Sequence, residues 1–179
     1  DENIDQEAMA KAMGAYMYGD PAFAKDVFGG ETTIGRSVAH EGTIAEESCE
    51  VADWERAPAI VNNARRHAVS ICYCRPKAEH PGRPRKAPQE MCMSLDAGAD
   101  FVVHRKFGRE ISRQEAMDLL EQAREHKLVH IVDNVQNKPT YICACCGCCC
   151  GQLSAINHWD LQAVTPSGFL PAHAQDLCT

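Results

Sequence analysis

Six cysteines within eight residues, Cys143-Ala-Cys-Cys-Gly-Cys-Cys-Cys150, limit what this chain can fold around more than any other stretch. Five more, Cys49, Cys72, Cys74, Cys92 and Cys178, bring the total to 11 of 179 residues. Three chemistries compete for such a run. Disulfides in small secreted proteins staple distant segments, so their cysteines are spread along the chain. Neighbouring cysteines rarely meet the bridge geometry, which wants Cα atoms ~5.5 Å apart, and the total here is odd. Structural zinc takes four thiolate or imidazole ligands, usually from two separated knuckles. Cys143 and Cys146 have knuckle spacing, and Cys72 or Cys74 could complete a site, but several thiols would then stand idle. Iron–sulfur clusters are held by thiolates, and a cubane needs four. The crowding favours this third reading.

Elementary strand geometry says how one loop could offer sulfurs in several directions. Alternate side chains of an extended stretch share a face, so Cys143 and Cys145 point one way and Cys146 the other. Gly147 then permits a sharp or left-handed turn, and Cys148, Cys149 and Cys150 are re-aimed after it. Cys72 and Cys74 close an apolar, β-like run, Ala68-Val-Ser-Ile-Cys-Tyr-Cys74, and their sulfurs are expected on one face. Cys92 follows a Pro-rich loop. Nine candidate metal ligands result: Cys72, Cys74, Cys92, Cys143, Cys145, Cys146, Cys148, Cys149 and Cys150. Two [4Fe–4S] clusters would use eight of them and one would use four. The spacing leaves both open, and it is not that of a bacterial ferredoxin.

Composition excludes other classes. Apolar residues make up 45% and charged residues 24%, as in soluble globular proteins. No apolar stretch reaches the ~20 residues of a transmembrane helix. A net charge of −7 argues against nucleic acid as a partner. The chain begins at Asp1, and no short apolar region follows the acidic Asp1–Asp5 stretch, so no signal peptide is expected there and the location is read as cytoplasmic. The eight histidines lack metal-ligand spacing, and His104 and His130 read as structural. There is no phosphate loop and no nucleophile elbow.

The spacing predicts an α+β fold with a small mixed or antiparallel sheet, packed helices and a cysteine-rich cluster-binding loop. Three segments are expected: an N-terminal helix and irregular arm (1–50), a cluster-binding α+β domain (51–160) and a C-terminal extension (161–179). Asp5 is expected to cap a first helix ending at Gly19-Asp-Pro21, whose Met-rich stripe has two readings, the favoured one facing the core and the other docking on a partner. Cys49, alone in the arm, reads as a small buried hydrophobe. Helices are expected over 54–67 and 89–97, strands over 68–74, 101–105, 128–133 and 140–143. Ser112-Arg-Gln-Glu115 is a capping box opening a helix to about Glu125. The basic, Pro-rich stretch 75–90 has two readings: a solvated loop, or positive charge offsetting a thiolate-bound cluster or meeting an acidic partner.

The stretch from about Ala64 to Cys150 resembles a family of iron–sulfur proteins of anaerobic bacteria and archaea, described as ferredoxin-like or 4Fe–4S dicluster proteins. The matching elements are Val69-Ser-Ile-Cys72-Tyr-Cys74-Arg75, Met91-Cys92-Met93, Gly108-Arg-Glu-Ile-Ser112 with Glu115-Ala116, Leu128-Val-His130, Asn134, and Ile142 through Cys150. The resemblance implies iron–sulfur binding and electron transfer with a redox partner protein, such as a flavoprotein, a ferredoxin or another iron–sulfur subunit. In that family the cysteine run is followed, after a spacer, by a ferredoxin module. Pro166–Leu170 resembles the spacer, and Asp176-Leu-Cys178-Thr179 resembles the opening of the module, which this sequence does not contain.

Three residues are expected to serve the cofactor directly. The backbone around Gly147 and Gly151 should aim amides at sulfur, and Arg75 should stabilise the more negative, reduced cluster. Two readings from other classes stay open: a catalytic iron–sulfur oxidoreductase subunit with a substrate-accessible cluster, and a zinc-stabilised interaction module.

Overall fold

One open, seven-stranded mixed sheet organises the computed structural model, which describes residues 5–40, 56–82, 86–135 and 137–169. In chain order the elements are α1 (Gln6–Gly19), α2 (Pro21–Phe28), β1 (Gly35–Val38), α3 (Ala57–Asn63), β2 (His67–Ile71), α4 (Cys74–Glu79) and β3 (Glu90–Leu95). They continue with α5 (Ala97–His104), β4 (Gly108–Ile111), α6 (Arg113–Glu125), β5 (Val129–Asp133), β6 (Tyr141–Cys145), α7 (Gly151–Trp159) and β7 (Val164–Thr165). The strand order is β4-β2-β3-β6-β5-β1-β7. Neighbours are antiparallel except the parallel β1–β7 pair. This is the expected α+β class. Among the described residues no helix is long and apolar enough to cross a membrane.

Strand alternation gives the sheet two unlike faces. Val69 of β2, Met93 and Leu95 of β3, Val132 of β5 and Ile142 of β6 point into a core shared with Ile60 and Val61 of α3 and Ala116 and Leu120 of α6. Burying one such Leu or Met side chain contributes roughly 1.5–3 kcal/mol. The intervening positions, Cys92 of β3 and Cys143 and Cys145 of β6, lie on the other face. The β3–β6 register pairs Met93 with Ile142, so its continuation brings Cys92 opposite Cys143.

The two helix starts anticipated from capping residues form as expected. Asp5 Oδ1 accepts the N–H of Ala8 at 2.9 Å, and Ser112 Oγ accepts the N–H of Glu115 at 3.1 Å. The Glu115 carboxylate, however, turns to Arg109 at 2.7 Å instead of completing the box.

Several local expectations are overturned. Residues 89–97 are not a helix: Met91, Met93 and Leu95 are buried at a period of two, and Glu90–Leu95 is strand β3. Residues 101–105 are not a strand: despite β-prone Phe101-Val-Val, they finish α5, whose one buried side chain is Ala99. Tertiary placement beside β2 and β3 outweighs propensity there. The helix expected over 54–67 is shorter, Ala57–Asn63, because His67 begins β2. The strand expected to reach Cys74 stops at Ile71, and Cys74 opens α4. The Met-rich stripe of α1 is mostly outside the core: Ala10 and Met17 are buried, while Met9, Met13 and Tyr16 are exposed. Arg75 and Lys77 are buried on α4 and so do not belong to a solvated loop. Cys49, Cys178 and the basic residues Arg83 and Arg85 lie outside the described residues.

Candidate metal centre

The nine candidate ligands fall into two groups. Six form a closed circuit of sulfur neighbours. Cys72 has Cys74 and Cys92 as partners, Cys92 has Cys143, Cys143 has Cys145, Cys145 has Cys150, and Cys150 returns to Cys74. The ring is assembled from the end of β2, the start of α4, the middle of β3, the end of β6 and the residue capping α7. Cys72, Cys145 and Cys150 are buried, and Cys74, Cys92 and Cys143 half-buried. All six are free thiols.

The remaining three, Cys146, Cys148 and Cys149, form a separate trio. Cys148 Sγ lies 3.1 Å from Cys146 Sγ and 3.3 Å from Cys149 Sγ. All three sulfurs lie within 4.8 Å of one another, a grouping that could hold a metal ion. Strand alternation separates the two groups as expected: Cys143 and Cys145 serve the ring and Cys146 the trio. Cys146 and Cys149 pack with Met91, Ala123, Leu128 and Ala144, with Cys74 of the ring against the same cluster, whereas Cys145 and Cys150 pack with Ile131 and Val164.

Ring electrostatics alternate from one sulfur to the next. The partner thiols Cys74 and Cys92, with the nearby Arg75 amide and guanidinium, draw the Cys72 thiol down to about 2. Cys145 and Cys74, then the amides of Leu153 and Gln152, draw Cys150 down to about 3. Cys145 and Cys92 likewise hold Cys143 well below the usual thiol range. The intervening Cys74, Cys92 and Cys145 are pushed up by their charged neighbours and by burial. The crowding opposes full deprotonation of the ring in the absence of a cation. Metal binding requires deprotonated sulfur, so an ion or cluster with positive charge would release the other protons. A dense, largely buried thiol set of this kind fits an iron–sulfur centre in donor chemistry and exceeds the four ligands that one cubane needs.

The chain's own donors surround this ring. Arg75 bridges two segments: its Nη1 donates to Pro88 O at 2.7 Å and its Nη2 to Ala144 O at 2.6 Å. The guanidinium is therefore fixed beside β6, the strand that carries Cys143 and Cys145. Gly147 keeps a negative φ, so the turn before Cys148 is not left-handed; among the described glycines only Gly82 has positive φ. A Cβ on Gly147 would lie 2.9 Å from Asn157 Nδ2. Gly151 lets α7 approach α1 and α2, since a Cβ there would meet Met17 Cε at 3.0 Å. The amides favouring the Cys150 thiolate belong to Gln152 and Leu153. Sequence reasoning passed over those two, although a cysteine at a helix N-cap points to them: the first turn of a helix has N–H groups without intrahelical partners.

Beside the ring, a cavity of about 760 Å³ is lined by Cys72, Ile71, Tyr73, Lys77, Met9 and Phe107, among others. Its volume falls in the ~300–1,000 Å³ range of small-molecule pockets. Nothing in the sequence pattern announced it, because its walls come from α1, α4 and the loop before β4.

Comparison with known proteins finds no match for this chain: no family model, no curated protein and no solved structure aligns with it significantly.

Proposed function

We propose that the six-sulfur ring holds an iron–sulfur centre of the [4Fe–4S] type and that the chain relays single electrons through it to a redox partner protein. The observation that carries this reading is the convergence of Cys72, Cys74, Cys92, Cys143, Cys145 and Cys150 from five separate places in the fold. When bound, such a centre accepts and gives up one electron at a potential set by nearby charge, amide dipoles and solvent. Four of the six sulfurs suffice for one cubane. The protein's contribution is to bury the ring, aim the Leu153 and Gln152 amides at Cys150 and fix the Arg75 charge close by. The resemblance to ferredoxin-like dicluster proteins points the same way, and the partner proposed with it is a flavoprotein, a ferredoxin or another iron–sulfur subunit. A cytoplasmic location belongs to the same proposal.

The test is the iron, zinc and acid-labile sulfide content of protein purified without air, with EPR of the reduced form. Iron and sulfide in comparable amounts, with a reduced-state signal, support the relay. A folded protein free of both overturns it.

One observation favours a second reading, a catalytic subunit. A cavity with room for a small molecule has Cys72 of the ring in its wall. Its discriminating measurement is an EPR spectrum that shifts when candidate substrates are added.

A further inference from the structure

The trio differs from the ring in a way that bears on what each can bind. In a tetrahedral site with ~2.3 Å metal–sulfur bonds, thiolates on one ion sit about 3.8 Å apart. Thiolates on different irons of a cubane are necessarily farther apart, since each points outward from its own corner. The Cys146, Cys148 and Cys149 sulfurs lie 3.1 and 3.3 Å apart along the chain of contacts and all within 4.8 Å. Among the described residues no three ring sulfurs gather that tightly.

Placement separates them in part, since of the ring sulfurs Cys74 also packs against the trio's cluster. The trio sits on a turn in which the N–H groups of Cys149 and Cys150 both donate to Cys146 O, at 3.3 and 3.1 Å. Cys146 and Cys149 are buried against Met91 and Ala144, on the α6 side of the sheet. Cys148 is exposed. Two sulfurs are thus anchored in the core and the third closes the group from the solvent side.

We infer that Cys146, Cys148 and Cys149 form a second metal site, for a single zinc ion held by three thiolates with its fourth position open to water. Thiolate ligands suit a borderline-soft d¹⁰ cation, and three protein ligands with one exchangeable position is a recognised zinc arrangement. This assignment goes beyond the electron-transfer reading and does not require iron at the ring.

The experiment uses the full chain, purified without air with its native metals, then freed of loosely held zinc by a chelator. Zinc ion alone is titrated back against a chromophoric competitor, with iron and sulfide measured before and after. One zinc per chain is expected. Cys148→Ser, on the exposed turn, should weaken that binding by at least about tenfold, the scale on which even outer-shell changes act, while iron and sulfide stay at the wild-type level. Cys145→Ser should bind zinc as the wild type does. The inference is overturned if the wild type takes up no zinc, if Cys148→Ser binds it unchanged, or if Cys148→Ser loses iron and sulfide. Because the readout at the trio is zinc, a protein without iron at the ring would sink the relay and leave this result standing.

Discussion

Cys145 and Cys146 are consecutive in the chain, yet their sulfurs serve different groups, Cys145 the ring with Cys143 and Cys150, and Cys146 the trio with Cys148 and Cys149. Neighbouring residues at the end of a strand face opposite sides of the sheet. The contrast makes the pair a sharp probe of the proposed function. Cys145→Ser should lower iron and sulfide per chain and leave a weaker or altered EPR signal. Cys146→Ser should leave both contents at the wild-type level. Equal loss in the two variants would mean that the two groups act as one.

Arg75 joins charge and scaffold. Its guanidinium lies near Cys72 and bonds the carbonyls of Pro88 and Ala144. Removing positive charge near a centre that gains an electron disfavours the reduced state, so Arg75→Ala should lower the midpoint potential. It should also cost roughly 1.5–3 kcal/mol of stability, the scale of hydrogen bonds made by a charged group. Arg75→Lys keeps the charge without the two-carbonyl fork and should restore part of the potential while recovering less of the stability. A redox titration in which Arg75→Ala sits at or above the wild-type midpoint contradicts the electrostatic role.

Gly108 marks where β4 meets β2. A Cβ there would run into Val69 O, with Val102 Cγ1 at 2.8 Å and Ser70 Cβ at 3.0 Å. Backbone cannot yield as a side-chain end does. Gly108→Ala should therefore destabilise by about 1–3 kcal/mol, as overpacking does, and lower Tm by several degrees. Gly14 is the control: it lies within α1 with nothing within 4 Å of an added Cβ. Gly14→Ala should raise stability by about 0.5–1 kcal/mol through helix propensity. Thermal melts of both variants settle the pair, and a Gly108→Ala protein as stable as wild type refutes the steric reading.

Much of this architecture was legible in the residues, for identifiable reasons. Asp5, Ser112 and the period of Ala116, Leu120 and Ala123 announce α1 and α6 because caps and helical stripes are local signals. Alternation along Cys143-Ala-Cys-Cys146 foretold which sulfurs would part company. The helix at 97–104 escaped notice because its Phe101-Val-Val core is β-prone and only its packing beside β2 and β3 makes it helical. Strand β3 was masked by the Pro-rich loop before it. The ring itself is non-local: Cys92 and Cys72 meet Cys143 and Cys150 through strand register, and no spacing rule encodes register.

His130 gives the fold an acid limit. Its ring is fully buried on β5, and neither nitrogen has a hydrogen-bond partner among the described residues. Burial first, and then the His40 ring with its centroid 4.1 Å away, depress its pKa to about 3. Glu121 and Arg124 line the same small cavity. The unfolded chain takes up a proton near the ordinary value of 6.5, whereas the folded chain resists until about 3. Between those values the unfolded state binds more protons, so stability is complete above about 6.5 and falls as pH drops toward 3. The expected slope is on the order of 1 kcal/mol per pH unit. His130→Leu should flatten that slope, which separates it from any acid lability of a bound cluster, common to both proteins. Urea midpoints at pH values spanning 5 to about 7 measure the difference. Parallel slopes in wild type and variant would assign the acid sensitivity to another group.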